Sequence, residues 1–371
     1  MKKLKVVTVV GTRPEIIRLS AVISEMEKIF DHTLIFTGQN YDPNLSSIFL
    51  DELGLNGPSI SLGIESNSTS SFVGKLISSV EEHFLRLKPD AVVILGDTNS
   101  GLSVITANKL GIPVYHLEAG NRSFDKNVPE EFNRRLIDHA SDFNLVYSEH
   151  ARRNLESEGI KPRSICLIGS PMFEVFKKYQ QQIENSAILK NLKLKKSGYI
   201  LISMHRQENI DEKQRLATML TTLQNLSEEF DAKIIVSTHP RTKSKLEVFG
   251  IEPDAGILFM EPLGFFDYIN LQRNSLFVLS DSGSLPEEAS ILGFRGVAFR
   301  NSMERPEALE AGHVILSGLD SEEVIRVARY VISNEVHTSS ILDYSISDTS
   351  KRVTSFILST IGQYKFWNGI R

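Results

Sequence analysis

The chain has 371 residues, enough for two domains of ordinary size, each with its own core. A formal charge of −5 argues against nucleic acid as a partner, and the single cysteine, Cys166, excludes an intramolecular disulfide framework and suits a reducing compartment. No apolar run approaches membrane-spanning length, and Met1-Lys-Lys-Leu-Lys-Val-Val enters a strand too short for a secretion signal, so a cytoplasmic protein without a membrane partner is expected.

Strand-like runs alternate with helical patterns along the chain. Lys5–Val10 is a β-branched run broken by Gly11, and Pro14 opens a helix whose apolar face is Ile16, Leu19, Ile23, Met26 and Phe30. His32–Phe36, Ala91–Leu95, Val114–His116, Phe143–Tyr147 and Ile165–Ile168 complete a first set of strands, with a long amphipathic helix over Thr69–Leu87. After Gly169-Ser-Pro171 the pattern restarts. Lys177–Ser197 reads as a polar, solvated helical region, and Tyr199–Met204, Lys233–Thr238, Ile257–Met260, Leu276–Ser280 and Gly296–Phe299 form a second set of strands. A last helix is expected over about Thr349–Gly362. Continuous apolar strands separated by helices indicate parallel sheets covered on both faces. The expected fold class is α/β: two doubly wound, Rossmann-like domains over 1–170 and 171–345, then a C-terminal helical segment, 346–371, that returns to the first domain. The default site is the cleft between two such domains.

Several segments just past strand ends carry chemistry. Gly11-Thr12-Arg13-Pro14 is either a phosphate-binding turn using Arg13 or an ordinary tight turn with a surface arginine. It lacks the G-x-G-x-x-G spacing, so no nicotinamide cofactor is indicated. Asp97, after the most apolar strand of the first half, is either a helix N-cap or a catalytic acid, and no His or further Asp is spaced to make Asp97 and Asn99 a metal site. In His116–Arg135, Glu118 lies just past a strand, the chain turns at Gly120 next to Asn121 and Arg122, and Pro129-Glu130-Glu131 opens a helix. Those acids either flank a ligand or serve as loop and capping residues. Ser282-Gly283-Ser284 followed by Pro286-Glu287-Glu288 reads as a helix start able to hold a diphosphate, with Glu288 placed for a ribose diol. Cations past three strands of the second half, His205-Arg206, His239 with Arg241, and Arg305, point to an anion site. Phe265 and Phe266 read as core.

In order, Gly11-Thr-Arg-Pro-Glu15, Gly96-Asp-Thr98, His116-Leu-Glu-Ala-Gly-Asn-Arg122, Pro129-Glu-Glu-Phe-Asn-Arg134, His205-Arg206, Asp281-Ser-Gly283 with Glu287-Glu288, and Glu304-Arg-Pro-Glu307 resemble the motifs of the non-hydrolysing UDP-N-acetylglucosamine 2-epimerase family. The resemblance implies a glycosyltransferase-B-like fold, a homodimer, a UDP-sugar substrate, and neither metal nor nicotinamide. It implies Asp97, Glu118 and Glu130 as proton-transfer residues and His205 as a further catalytic group. Substrate contacts are implied at Arg13, Arg18, Asn121, Arg122, Arg134, His239, Tyr268, Ser282, Gly283, Ser284, Glu288 and Arg305. Three departures stand out: Arg18 where many members have Lys, Ser284 in place of a second glycine, and Gly38-Gln-Asn-Tyr-Asp42 in place of the Gln-His-Arg pattern linked to allosteric UDP-N-acetylglucosamine binding.

Within the family, Gln39–Asp42, Asn121, His205–Asp211, Ser237–Arg241 and Gly264–Tyr268 look most like the UDP-N-acetyl-L-fucosamine synthase branch. That branch inverts C2 of UDP-2-acetamido-2,6-dideoxy-L-talose by elimination and readdition of UDP, for capsule or O-antigen polysaccharide. UDP-N-acetylglucosamine 2-epimerase is the alternative reaction, and a glycosyltransferase of the same build the alternative class.

Overall fold

The structure is a computed structural model. It describes residues 3–39, 53–55, 59–204, 213–237, 248–249, 256–261, 263–334 and 341–369, with side chains described from 216 in the segment that starts at 213. The chain divides into two compact units, one of Met1–Lys178 with Leu342–Arg371 and one of Tyr179–Ile341. Among the described residues no helix is long and apolar enough to cross a membrane.

The first unit is built on a seven-stranded parallel sheet. Its strands are β1 (Lys5–Val10), β2 (Asp31–Phe36), β3 (Ile60–Ser61), β4 (Ala91–Leu95), β5 (Val114–Leu117), β6 (Phe143–Val146) and β7 (Ile165–Leu167), in spatial order β3-β2-β1-β4-β5-β6-β7. All five residues of β4 are buried, as a strand covered by helices on both faces must be. Helix α1 (Arg13–Ile29) starts in a capping box, with Glu15 accepting the backbone N–H of Thr12 at 2.7 Å. Helix α2 (Thr69–Leu87) is capped by Ser68 and buries Phe72, Leu76, Val80 and Phe84, a four-residue stripe that packs on the sheet. Helix α3 (Glu130–Ala140) enters β6, and α4 (Glu149–Ser157) follows it.

The strand order reverses between β1 and β4. In open parallel sheets, the crevice beyond the strand ends at such a reversal is where ligands bind. Gly11–Arg13 follow β1 and Gly96-Asp97 follow β4, so both motifs lie at that point.

The second unit repeats the plan with β8 (Tyr199–Ser203), β9 (Lys233–Ser237), β10 (Ile257–Met260), β11 (Val278–Ser280), β12 (Gly296–Ala298) and β13 (Val314–Leu316), ordered β10-β9-β8-β11-β12-β13 and parallel throughout. Its reversal lies between β8 and β11, and Ser282–Ser284 follow β11 there. Helix α5 (Leu285–Leu292) begins at that turn.

The first unit runs to Lys178, eight residues past the expected boundary, because the helix Pro171–Lys178 packs on α1. The polar stretch after it is not a solvated helix. Short helices at Gln180–Glu184 and Ile188–Asn191 bury Ile183 and Ile188, and Ile183 accepts a hydrogen bond from Asn270 at 2.7 Å. The closing helix α6 (Thr349–Thr360) belongs to the first unit. Thr349 donates to the Ile168 carbonyl at 3.0 Å, Ser350 to Glu174 at 2.6 Å, and Tyr115 and Thr360 share a hydrogen bond at 2.8 Å. β3 and β13 were not expected; both are edge strands of two or three residues, too short for a readable pattern.

Candidate active site

In the first unit Glu118 follows β5 with φ +65°, the left-handed region that costs a residue with a Cβ on the order of 1–2 kcal/mol. Its carboxylate lies 3.3 Å from Arg18 of α1 and beside Gly96, where an added Cβ would stand 4.0 Å from it. Asp97, the residue after Gly96, accepts from Arg134 Nε at 2.8 Å. Thr98, not Asp97, occupies the N-cap of the following 3-10 turn, so the capping alternative for Asp97 drops out. Two carboxylates thus stand just past neighbouring strands, each against an arginine.

Glu130 is the first residue of α3 and is exposed. The acid drawn inward is its neighbour. Glu131 accepts from Ser123 N at 2.9 Å, Ser123 Oγ at 3.0 Å and Arg134 at 3.2 Å, which closes the loop between Asn121 and the helix. Glu130, Arg134 and Asp138 follow one another at four-residue spacing and share a face of α3.

Arg122 requires a correction. It was expected to touch substrate, but its side chain is wholly buried. Nη1 donates to Asp138 at 2.7 Å and to the Asn121 carbonyl at 2.8 Å, while Nε and Nη2 form a fork on Glu158 at 2.9 and 2.6 Å. Burial works against the charge, but the Glu158 and Asp138 carboxylates outweigh it and hold the guanidinium above its ordinary pKa. A paired internal cation of this kind braces a loop. Asn121 is buried beside it, and Arg13 is half-buried at the start of α1.

Glu15 carries no role in the sequence reading beyond its motif. It is buried and accepts from Gly11 N, Thr12 N and Thr12 Oγ1 at 2.7–3.0 Å, and from Thr98 Oγ1 at 3.1 Å, so it ties the turn after β1 to the residue beside Asp97. Burial, only partly offset by those donors, raises its pKa from the usual 4.5 to about 7. A carboxyl raised on folding contributes stability that is complete below about 4.5 and lost as pH rises through about 7. The melting temperature of the protein minus that of Glu15→Gln is therefore expected to increase as pH is lowered across this window. A difference flat with pH would show that Glu15 does not titrate there.

In the second unit Ser284 N donates to Ser282 Oγ at 3.2 Å and Ser282 N to Ser280 Oγ at 3.0 Å, which shapes the turn before α5. A Cβ at Gly283 would fall on the Glu304 carboxylate, which Arg300 grips at 2.6 Å. A side chain at 283 would therefore have to displace the Glu304–Arg300 ion pair, whether or not a phosphate approaches. Glu288 accepts from Gln272 Nε2 at 2.6 Å. Burial, reinforced by the Glu288 charge, raises the Tyr268 phenol well above its ordinary pKa, leaving a neutral hydroxyl. Arg305, expected to contact UDP, is buried and donates to the fully buried Glu287 at 2.9 Å, an internal ion pair that anchors α5. His205 and His239 lie outside the described residues.

A family model described as UDP-N-acetylglucosamine 2-epimerase matches residues 24–358. The chain belongs to that family. The epimerase is 37% identical over 341 residues to the UDP-N-acetylglucosamine 2-epimerase of Methanocaldococcus jannaschii, covering 90% of this chain and 93% of that one. A solved structure of the enzyme from that organism, in complex with UDP-GlcNAc and UDP, matches with a TM-score of 0.89 at 34% identity over 97% of this chain and 100% of that one. The structure of UDP-N-acetylglucosamine 2-epimerase from Rickettsia bellii matches with a TM-score of 0.91 at 42% identity over 98% of each chain. A Pseudomonas aeruginosa relative, UDP-2,3-diacetamido-2,3-dideoxy-D-glucuronate 2-epimerase, is 30% identical over 95% of this chain and 99% of its own. The epimerase shares with these structures its two Rossmann-like domains and glycosyltransferase-B-like fold. Asp138, Glu158, Glu131 and Glu15 are the residues the sequence reading missed; the Thr12-x-x-Glu15 spacing of a capping box could have pointed to Glu15, and the helical phase of α3 to Glu131 and Asp138.

Proposed function

We propose that the epimerase inverts C2 of UDP-2-acetamido-2,6-dideoxy-L-talose, giving UDP-N-acetyl-L-fucosamine, by eliminating UDP and adding it back. The C2 hydrogen has no adjacent carbonyl to acidify it. Breaking the C1–O bond first sends the electron pair out with UDP and leaves positive charge at C1, which makes the C2 proton removable. A carboxylate takes that proton, and C1 and C2 become doubly bonded in a 2-acetamidoglycal. Return of a proton to the other face of C2 and of UDP to C1 completes the inversion.

The observation that carries this reading is the pairing of Asp97 and Glu118 at adjacent strand ends, each against an arginine. Acids held in this way exchange protons and favour a cationic C1, with Glu130 as the third member. The Ser282–Ser284 turn, Glu288 and Arg13 are the proposed UDP contacts, with His205. The 6-deoxy-L-sugar is assigned from the branch segments, chiefly Asn121, which adds an amide three residues from Glu118. UDP-N-acetylglucosamine is the second reading, favoured by the names of the relatives and by the ligand in the M. jannaschii structure.

Both UDP-sugars offered to the purified protein in deuterium oxide decide the matter. The product is expected to carry deuterium at C2, with the higher kcat/KM for the L-talo sugar. Full retention of the C2 hydrogen would eliminate the mechanism. A higher kcat/KM for UDP-N-acetylglucosamine would replace the substrate.

A further inference from the structure

Asp138 of α3 touches both flanks of the Glu118 turn. Its side chain is wholly buried. Two residues before Glu118, His116 packs on the same carboxylate, with Nδ1 2.9 Å from Asp138 Oδ1 in a close contact without hydrogen-bond geometry, and its Nε2 donates to the Gly96 carbonyl at 2.8 Å. Two residues after Glu118, the Gly120 N–H points at the same carboxylate, 3.1 Å from Oδ2 and 3.3 Å from Oδ1. Arg122 approaches Oδ2 at 2.7 Å and balances the charge. The residue clamped between these anchors has a positive φ.

From this geometry we propose that Asp138 is a positioning residue for catalysis: it holds the backbone on either side of Glu118 and so fixes where that carboxylate is presented. The proposal rests on the proton-transfer role of Glu118 given above. Arg18 meets the Glu118 side chain from α1, whereas Asp138 sets the backbone from α3. One face of α3 then serves the whole acidic group, because Arg134 on it holds Asp97 and Glu130 opens it. The requirement is for a carboxylate. It offers acceptor oxygens to a backbone N–H and a guanidinium at once, and an amide of the same shape turns one of those oxygens into a donor.

The test is D138N in the full-length protein, read by steady-state kinetics, UDP affinity and melting temperature. A displacement of Glu118 by about 1 Å is expected to lower kcat by roughly 10²-fold, with KM and UDP affinity within about twofold of the unsubstituted protein. D138N with unchanged kcat, or with kcat and UDP affinity falling together, would overturn the proposal. Where D138N does not yield folded protein, H116N removes one flank only. Lower kcat at constant KM supports the clamp, and unchanged kcat overturns it. Exchange of C2 hydrogen by the unsubstituted protein is measured alongside. If exchange is present and D138N is unaffected, only the role of Asp138 falls; if exchange is absent, the role of Glu118 falls as well.

Discussion

Turnover in a Glu118→Gln variant is expected to fall by about 10²–10⁴-fold with the fold intact, the range a positioned proton-transfer group contributes. The amide matches the carboxylate in shape and still offers an oxygen to Arg18, 3.3 Å away. The strained backbone at φ +65° is held by neighbours on either side and does not depend on the side-chain charge. Binding of UDP should be nearly unchanged, because the diphosphate contacts proposed in the second unit are untouched. Steady-state rates and solvent-deuterium incorporation check the expectation together. Near-normal rates for both would remove Glu118 from the proton-transfer group and leave Asp97 and Glu130.

Gly120→Ala is expected to be the most destabilising single change in the same loop. Gly120 has φ +83°, and an added Cβ would fall on the Ala151 carbonyl oxygen and against Leu155 of α4. The backbone term alone is on the order of 1–2 kcal/mol. Backbone on backbone cannot relax by a rotamer change, so overpacking adds about 1–3 kcal/mol more. The first thermal transition should drop by roughly 2–4 °C for each kcal/mol lost in a unit of this size. The displaced N–H would also leave Asp138, so the folded fraction should turn over slowly. A variant with an unchanged melting temperature would show that the turn and α4 yield more easily than their packing implies.

The parallel sheets were legible because their strands are buried on both faces. Ala91–Leu95 reads as a continuous apolar run and Lys5–Val10 as a β-branched one, and both fold as strands. Asp97 and Glu118 were legible for a related reason, since each stands just past a run that could only be a strand. Roles that depend on helical phase were not. Whether Glu130 or Glu131 points inward depends on which face of α3 is buried, and the buried face, with Glu131, Arg134, Ile137 and Asp138, is mostly polar and so not marked by an apolar stripe. Arg122 and Arg305 looked like ligand contacts because they are cations in motif loops. Their partners, Asp138 and Glu158 in one case and Glu287 in the other, lie 16, 36 and 18 residues away in sequence.

Because residues 342–371 complete the first unit, its two parts are separated during synthesis by the whole of the second. Residues 179–341 emerge as an uninterrupted whole and can fold while Tyr115 still lacks Thr360 and Ile168 still lacks Thr349. The first unit, which carries the acidic residues, is thus completed only after the whole of the second has been made.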